Sequence, residues 1–205
     1  MKLVFATRNR GKLIELRALA EGLPLTILGL DEAGVHGEIV EDGRTFEDNA
    51  RKKAEAAAAG SGMAALADDS GLEVNGLGGA PGVDSAVWAG LLSGASGSDA
   101  ANNRKLVAEC ARVGTPRSAR YRCVLALALP GQSTVFEEGT VEGEIVLEPR
   151  GAGGFGYDPW FLLPELGRTM AELDLDQKNL MSHRGKAMRK MVARLARLLG
   201  PKSSS

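Results

Sequence analysis

An α/β fold is what this sequence predicts, and three stretches predict it. Lys2 to Ala6 reads as a buried strand leading through a polar turn, Thr7-Arg8-Asn9-Arg10-Gly11-Lys12, into a helix that opens at Leu13. Arg120 to Leu129 alternates as a long strand, and Pro130-Gly131 turns it into one or two further antiparallel strands between Thr134 and Val146. Near the C-terminus Met188, Met191, Val192, Leu195, Leu198 and Leu199 form a stripe of 3.6-residue period on a helix beginning near Ser182. The chain's 205 residues suffice for one sizeable core, in one lobe or two, and residues 1–200 are read as a single domain. Lys202-Ser203-Ser204-Ser205 reads as part of a disordered tail spanning 201–205.

Composition removes several function classes. Twenty-five basic residues nearly cancel 26 acidic ones, which argues against a broad nucleic-acid surface but leaves room for a local cationic pocket. Leu3 to Ala6 is too short for a signal-peptide core, no stretch approaches a membrane span, and the expected location is cytoplasmic. Cys110 and Cys123 have no metal or redox spacing; one fits the apolar face of a helix and the other an alternating strand, as buried structural thiols.

The remaining elements follow in order. The first helix carries Leu13, Leu16, Ala20 and Leu23 on one face and stops at Gly22 and Pro24. Leu25 to Leu28 is a second strand, and residues 29–44 form an irregular acidic connection with Glu38, Glu41 and Asp42. Thr45-Phe46-Glu47-Asp48 resembles a capping box and starts an Ala-rich helix that runs to about Ala59, where Gly60 and Gly62 end it. Met63 to Ala67 is a strand ending at Asp68-Asp69-Ser70-Gly71, with Leu72-Glu73-Val74 as a separate short strand and Asn75 to Gly82 as loop. Ser98 caps a helix from Asp99 to Val113. A Gly-rich loop from Gly151 to Pro159 precedes a buried strand at Trp160 to Leu163, and Thr169 to Glu172 is a second capping pattern.

The chemistry centres on Asp68 and Asp69. Two adjacent carboxylates ending a buried strand are costly unless a divalent metal, a lysine or a bound substrate offsets them. In open α/β sheets, ligands sit beyond the carboxyl ends of strands. The Thr7–Lys12 turn leads into a helix N-terminus, where unpaired amides suit phosphate, although the spaced glycines of a Walker motif are missing; a plain connection with surface charges fits it equally. Asn49 and Lys53 share a helix face, where a lysine is ordinarily solvated. Phe155 and Tyr157 either form a stacking platform or fold back into the core. His183 and Arg184, with Lys178 upstream, place cations at a helix N-terminus against its dipole, which marks a ligand site. Were these loops to converge, Glu41, Asp68 and Asp69 with Lys12, Lys53, Lys178 and Arg184, the donors Thr7, Asn9 and Ser70, and an aromatic loop would describe a Mg²⁺-dependent nucleotide site. No serine or cysteine is paired to a base, so direct attack by water is the simpler chemistry, with one carboxylate orienting or deprotonating it.

Six blocks then carry a family resemblance over nearly the whole chain: Thr7 to Lys12, Glu41 to Ala50, Ala67 to Leu72, Gly78 to Gly82, Phe155 to Pro159 and Ser182 to Gly185. Each is weak alone; in this order and spacing the chain resembles the Ham1-like inosine triphosphate pyrophosphatases. The resemblance implies an elongated mixed β-sheet with flanking helices in two lobes around a central cleft, in a homodimer. It implies cleavage of deaminated purine nucleoside triphosphates (ITP, dITP, XTP) to monophosphate and pyrophosphate with Mg²⁺. By likeness Thr7, Arg8, Asn9, Arg10, Gly11 and Lys12 lie against substrate, and Thr7, Asn9, Lys12 and Lys53 hold the triphosphate. Glu41 and Asp69 resemble the metal ligands, and Asp69 the proton acceptor supported by Asp68. Ser70 resembles a substrate contact, while Phe155, Gly156, Tyr157, Asp158, Lys178, His183 and Arg184 resemble the base pocket.

Lysine and arginine only donate hydrogen bonds, so Lys178 or Arg184 would welcome a 6-carbonyl and leave adenine's amino group unpaired. Guanine carries the same carbonyl, so its rejection needs another contact. One block departs from the family's usual Tyr-Ser-Ala-Arg-like run: Val83-Asp84-Ser85-Ala86-Val87-Trp88 follows Gly82. The altered loop admits a nucleotide-binding module with little turnover, against which Glu41, Asp69 and Lys53 argue, and a Maf-like pyrophosphatase for modified pyrimidine triphosphates is a separate alternative.

Overall fold

The computed structural model describes residues 1–37, 39–90 and 98–200; Glu38, residues 91–97 and the tail expected to be disordered lie outside the described residues. Among the described residues seven strands make one mixed sheet, in the order β2 (Thr26–Gly29), β1 (Lys2–Phe5), β3 (Ala64–Val74), β4 (Ser118–Ala128), β5 (Val135–Ile145), β6 (Phe161–Leu163) and β7 (Arg168–Thr169), and the chain divides into two compact units.

The first unit contains Met1–Asp69, Cys123–Gly139 and the chain from Lys186 onward. Strand β1 (Lys2–Phe5) pairs in parallel with β2 (Thr26–Gly29) and, on its other side, with β3 (Ala64–Val74). Helix α1 spans Arg10–Leu19, three residues earlier than its apolar face suggests. The cause is Asn9, whose side-chain oxygen accepts from the Lys12 amide at 3.2 Å as an N-cap, so Arg10, Gly11 and Lys12 form the first helical turn rather than a free loop. Helix α2 (Phe46–Ser61) is capped as its sequence suggests, the Thr45 hydroxyl accepting from Asp48 N–H at 3.1 Å. It runs through Gly60 and stops at Gly62, which supplies the left-handed φ of 68°.

Strand β3 corrects the sequence reading. It is one strand of 11 residues, not two, so Asp68, Asp69 and Ser70 lie within it. Leu72 and Val74, both fully buried, carry it past the acids into the second unit's core. Its parallel neighbour does stop: Phe5 is paired with Leu66, and Ala6 N–H donates to Leu66 O at 2.7 Å. The acids therefore lie past the carboxyl end of β1, although not of β3.

Leu3, Phe5, Leu16, Leu66, Leu125 and Leu127 form the first core, and helix α5 (His183–Leu199) lays Met188, Met191 and Leu195 onto it with no exposure. Removing one such side chain costs about 2–5 kcal/mol.

The second unit contains Ser70–Arg122 and Thr140–Gly185. Helix α3 spans Asp99–Cys110, capped by the Ser98 hydroxyl on Ala101 N–H (3.2 Å), and ends three residues before Val113. Strands β4 (Ser118–Ala128) and β5 (Val135–Ile145) pass through both units; β5 is a single strand. Trp160 belongs to a 3-10 turn at Asp158–Trp160, and β6 (Phe161–Leu163) pairs antiparallel with β5 and with the two-residue β7 (Arg168–Thr169). The Thr169–Glu172 pattern forms a true capping box on one 3-10 turn. A seven-residue helix, α4 (Leu175–Met181), follows with Asp174 as its cap and carries Lys178. Leu72, Val74, Leu106, Tyr121, Phe161 and Met170 are at the heart of this core. Cys110 and Cys123 are both buried, and no disulfide joins them.

Candidate active site

In the first unit, α2 and β3 build a carboxylate–lysine cluster. Lys53 lies one helical turn beyond Asn49, and both point toward β3 because that face of α2 buries Phe46, Ala50, Ala54 and Ala57. The Lys53 Nζ donates to Glu41 Oε2 at 2.7 Å and to Asp69 Oδ1 at 3.2 Å. Asn49 Nδ2 donates to the other Asp69 oxygen at 3.2 Å. Burial works against the Lys53 charge, but Asp69 and then Glu41 outweigh it and hold its pKa above the ordinary lysine value. For Asp69 burial is the largest influence and wins, so its pKa is raised despite Lys53 and Asn49. The solvated lysine considered from sequence is instead buried and twice paired.

Asp68 points elsewhere. Successive strand residues face opposite sides, and Asp68, nearly inaccessible, pairs with Lys12 Nζ at 2.7 Å. The two adjacent acids thus each have a lysine. In the Thr7–Lys12 segment, Thr7 Oγ1 accepts from Asn9 N–H at 3.1 Å, and Asn9 is the α1 cap. The Arg8 guanidinium donates to Gly37 O at 2.6 Å and lies 3.9 Å from Asp31. Arg10 and Gly11 are exposed on the first turn of α1.

The second unit gathers the other candidates. Asp158, 4% exposed, accepts from Tyr121 OH (3.2 Å), Phe155 N–H (3.0 Å) and Lys178 Nζ (2.5 Å). The same Lys178 ammonium lies 4.5 Å from the Phe155 ring centroid, and Arg184 Cζ lies 6.0 Å from it. Arg184 also donates to Ser70 Oγ at 3.3 Å. His183 is stacked on Tyr121, centroids 4.8 Å apart and planes 13° apart. The loop itself is held by Gly156, whose N–H donates to Asp99 and whose carbonyl accepts from Asn103, both at 3.0 Å. A side chain at Gly154 would collide with the Asp158 carboxylate.

The two aromatics have opposite fates. Phe155 is 61% exposed, whereas Tyr157 is buried and donates from its hydroxyl to Ser85 O at 2.8 Å. Tyr157 is thus the core-facing aromatic, not part of a platform. Ser85 and Trp88, in the block that departs from the resemblance, also serve the core. Ser85 Oγ accepts from Leu72 N–H at 2.9 Å, and the buried Trp88 lies under Lys105 Nζ at 4.6 Å.

Asn49 and Tyr121 were missed as site residues. Only the four-residue spacing of Asn49 from Lys53 signalled the first; nothing in the sequence tied Tyr121 to Asp158, 37 residues away. Glu41 and Asp69 are the pair suited to a divalent cation: both oxygens already converge on one ammonium, and oxygen donors suit a hard ion. No group of three or more His, Cys, Asp or Glu arranged to hold a metal occurs among the described residues. An ion here would therefore complete its shell with water and substrate oxygens, as Mg²⁺ habitually does.

Comparison with known proteins accords with these features. The sequence profile of the Ham1 family matches residues 3–194. A protein of Geobacter sulfurreducens named dITP/XTP pyrophosphatase is 51% identical over 188 residues, covering 91% of this chain and 92% of its own. One of the same name from Desulforamulus reducens is 50% identical over 199 residues, 97% of each chain. Among solved structures, a HAM1 protein from Coxiella burnetii superposes with a TM-score of 0.90 at 40% identity, covering 96% of this chain and 99% of that one. The Staphylococcus aureus Ham1 protein gives 0.87 at 38% identity, covering 97% and 100%. The chain belongs to the Ham1 family.

Proposed function

We propose that this member of the Ham1 family hydrolyses deaminated purine nucleoside triphosphates, ITP, dITP and XTP, to the monophosphate and pyrophosphate. The observation that carries the reading is the pair of carboxylates, Glu41 and Asp69, sharing the buried ammonium of Lys53. The names of the relatives support the substrate class.

Glu41 and Asp69 would hold Mg²⁺, which, once bound, neutralises phosphate charge and acidifies water. Lys53 and Lys12 then supply positive charge to the triphosphate, Lys53 from a site where burial strengthens its field. Asp69 orients the attacking water and accepts its proton. Asp68 keeps Lys12 in place. The base is read by donors: Lys178 and Arg184 offer hydrogen bonds to a 6-carbonyl and none to the adenine amino group. Phe155 supplies an exposed aromatic face.

A homodimer and a cytoplasmic location belong to the same reading. The first rests on the family resemblance. The second is supported by Cys110 and Cys123, buried with no disulfide between them, as suits a reducing compartment. The test is pyrophosphate release with Mg²⁺ across a panel of triphosphates. Release from ITP and XTP far above ATP and GTP is expected, while preference for modified pyrimidines or binding without product would replace this reading.

A further inference from the structure

We infer that Asn49 is a positioning residue that locks the segment carrying Glu41 to Asp69, and so sets the affinity of the carboxylate pair for a divalent cation. The inference rests on the reading of Glu41 and Asp69 given above. Asn49 is 4% exposed on the inner face of α2. Its two amide ends have opposite tasks. Oδ1 accepts from Gly43 N–H at 2.7 Å, and Nδ2 donates to Asp69 Oδ2 at 3.2 Å. Lys53, one turn along, reaches Glu41 and the other Asp69 oxygen. The segment from Glu41 to Gly43 is thus tied at both ends to the same helix, with an exposed ion pair from Lys52 to Asp42 between them, and the two end ties pass to the same carboxylate.

The two ties respond differently to an incoming cation. Lys53 holds the segment through the charges of Glu41 and Asp69, for which another cation competes directly. Asn49 holds it through the Gly43 backbone N–H, a bond for which no cation competes directly. Residue types at both ends fit the task. Aspartate at position 49 could accept from Gly43 but would set a second carboxylate against Asp69; alanine could do neither. A Cβ at Gly43 would lie 2.5 Å from Asn49 Oδ1 and 2.8 Å from Asp48 Cβ, so only glycine lets the bond form.

The test uses full-length protein, with Asn49→Ala, Gly43→Ala and the double variant. Mn²⁺ binding without nucleotide is read by electron paramagnetic resonance, and the Mg²⁺ concentration for half-maximal pyrophosphate release is read alongside. Each single change is expected to weaken Mn²⁺ binding about 10-fold, the scale of lost support behind a metal ligand. The double variant should be no weaker than the worse single, because Asn49→Ala already removes the bond that Gly43→Ala breaks. Asn49→Asp, which keeps the Gly43 bond, should shift Mn²⁺ binding differently from Asn49→Ala. Unchanged Mn²⁺ binding in a folded single variant, or losses that multiply in the double, would overturn the inference. Should the wild-type protein bind Mn²⁺ yet release no pyrophosphate from ITP, the proposed function fails while this test still reads out.

Discussion

Phe155 and Tyr157 stand two residues apart in one glycine-rich loop and do different work. Tyr157 finds a carbonyl acceptor in Ser85, 72 residues away in sequence, which no local pattern could reveal; Phe155 stays outside beneath Lys178. Phe155→Ala should therefore raise the KM for ITP about 10-fold, on the scale of one stacking contact, with little change in melting temperature. Tyr157→Phe should cost roughly 1 kcal/mol of stability through the lost hydrogen bond, measured by denaturant titration, and leave KM nearly unchanged. A reversed pattern would exchange their roles. The acids show the same limit and the same success. That Asp68 and Asp69 need cationic partners was legible from their adjacency, but which lysine serves which acid follows from strand alternation in three dimensions. Asp69→Asn should lower kcat by at least about 10²-fold, as expected for loss of a general base, with unchanged circular dichroism. A near-normal rate would remove Asp69 from the mechanism.

At the scale of elements, three helix starts were legible from the side chains that cap them. Thr45, Ser98 and the Thr169–Glu172 box each do what their sequence suggests. Asn9 is a cap too, and apolar periodicity alone placed that helix start too late. Thr45→Ala should cost about 1 kcal/mol, and Met188→Ala about 2–5 kcal/mol, both readable from urea midpoints. The continuity of β3 was hidden because two acids and a glycine interrupt its apolar pattern, while its second half packs in a different core from its first. Helix α4 was hidden because seven residues are too few to show a period.

At the scale of the whole molecule, each unit has its own apolar core, and the second core holds three groups that resist ionisation. Burial pushes the Cys110 thiol and the Tyr121 and Tyr157 hydroxyls up from their ordinary values, with Asp158 adding to the effect on Tyr121 and Asp99 to that on Tyr157. In the unfolded chain these groups lose protons at ordinary values, while the folded protein retains them. Stability is thus fully present at neutral pH and falls as pH rises past roughly 8.5 to 10. Melting temperature followed across that range should decline, with tyrosinate absorbance from these two side chains appearing together with unfolding; their titration within intact protein would contradict this. The α/β class and the order of chemical motifs were legible because both are written locally. The division into two cores was legible only through the family resemblance, since strands β3, β4 and β5 each change core partway along their length.

The most direct measurement is pyrophosphate release by the purified protein with Mg²⁺ and equal concentrations of ITP, XTP, ATP and GTP. ITP and XTP should be converted to monophosphate and pyrophosphate at rates far above ATP and GTP, and Lys53→Met should suppress that release in a protein that still folds. Equal rates on all four purines, or full activity without Lys53, would contradict it.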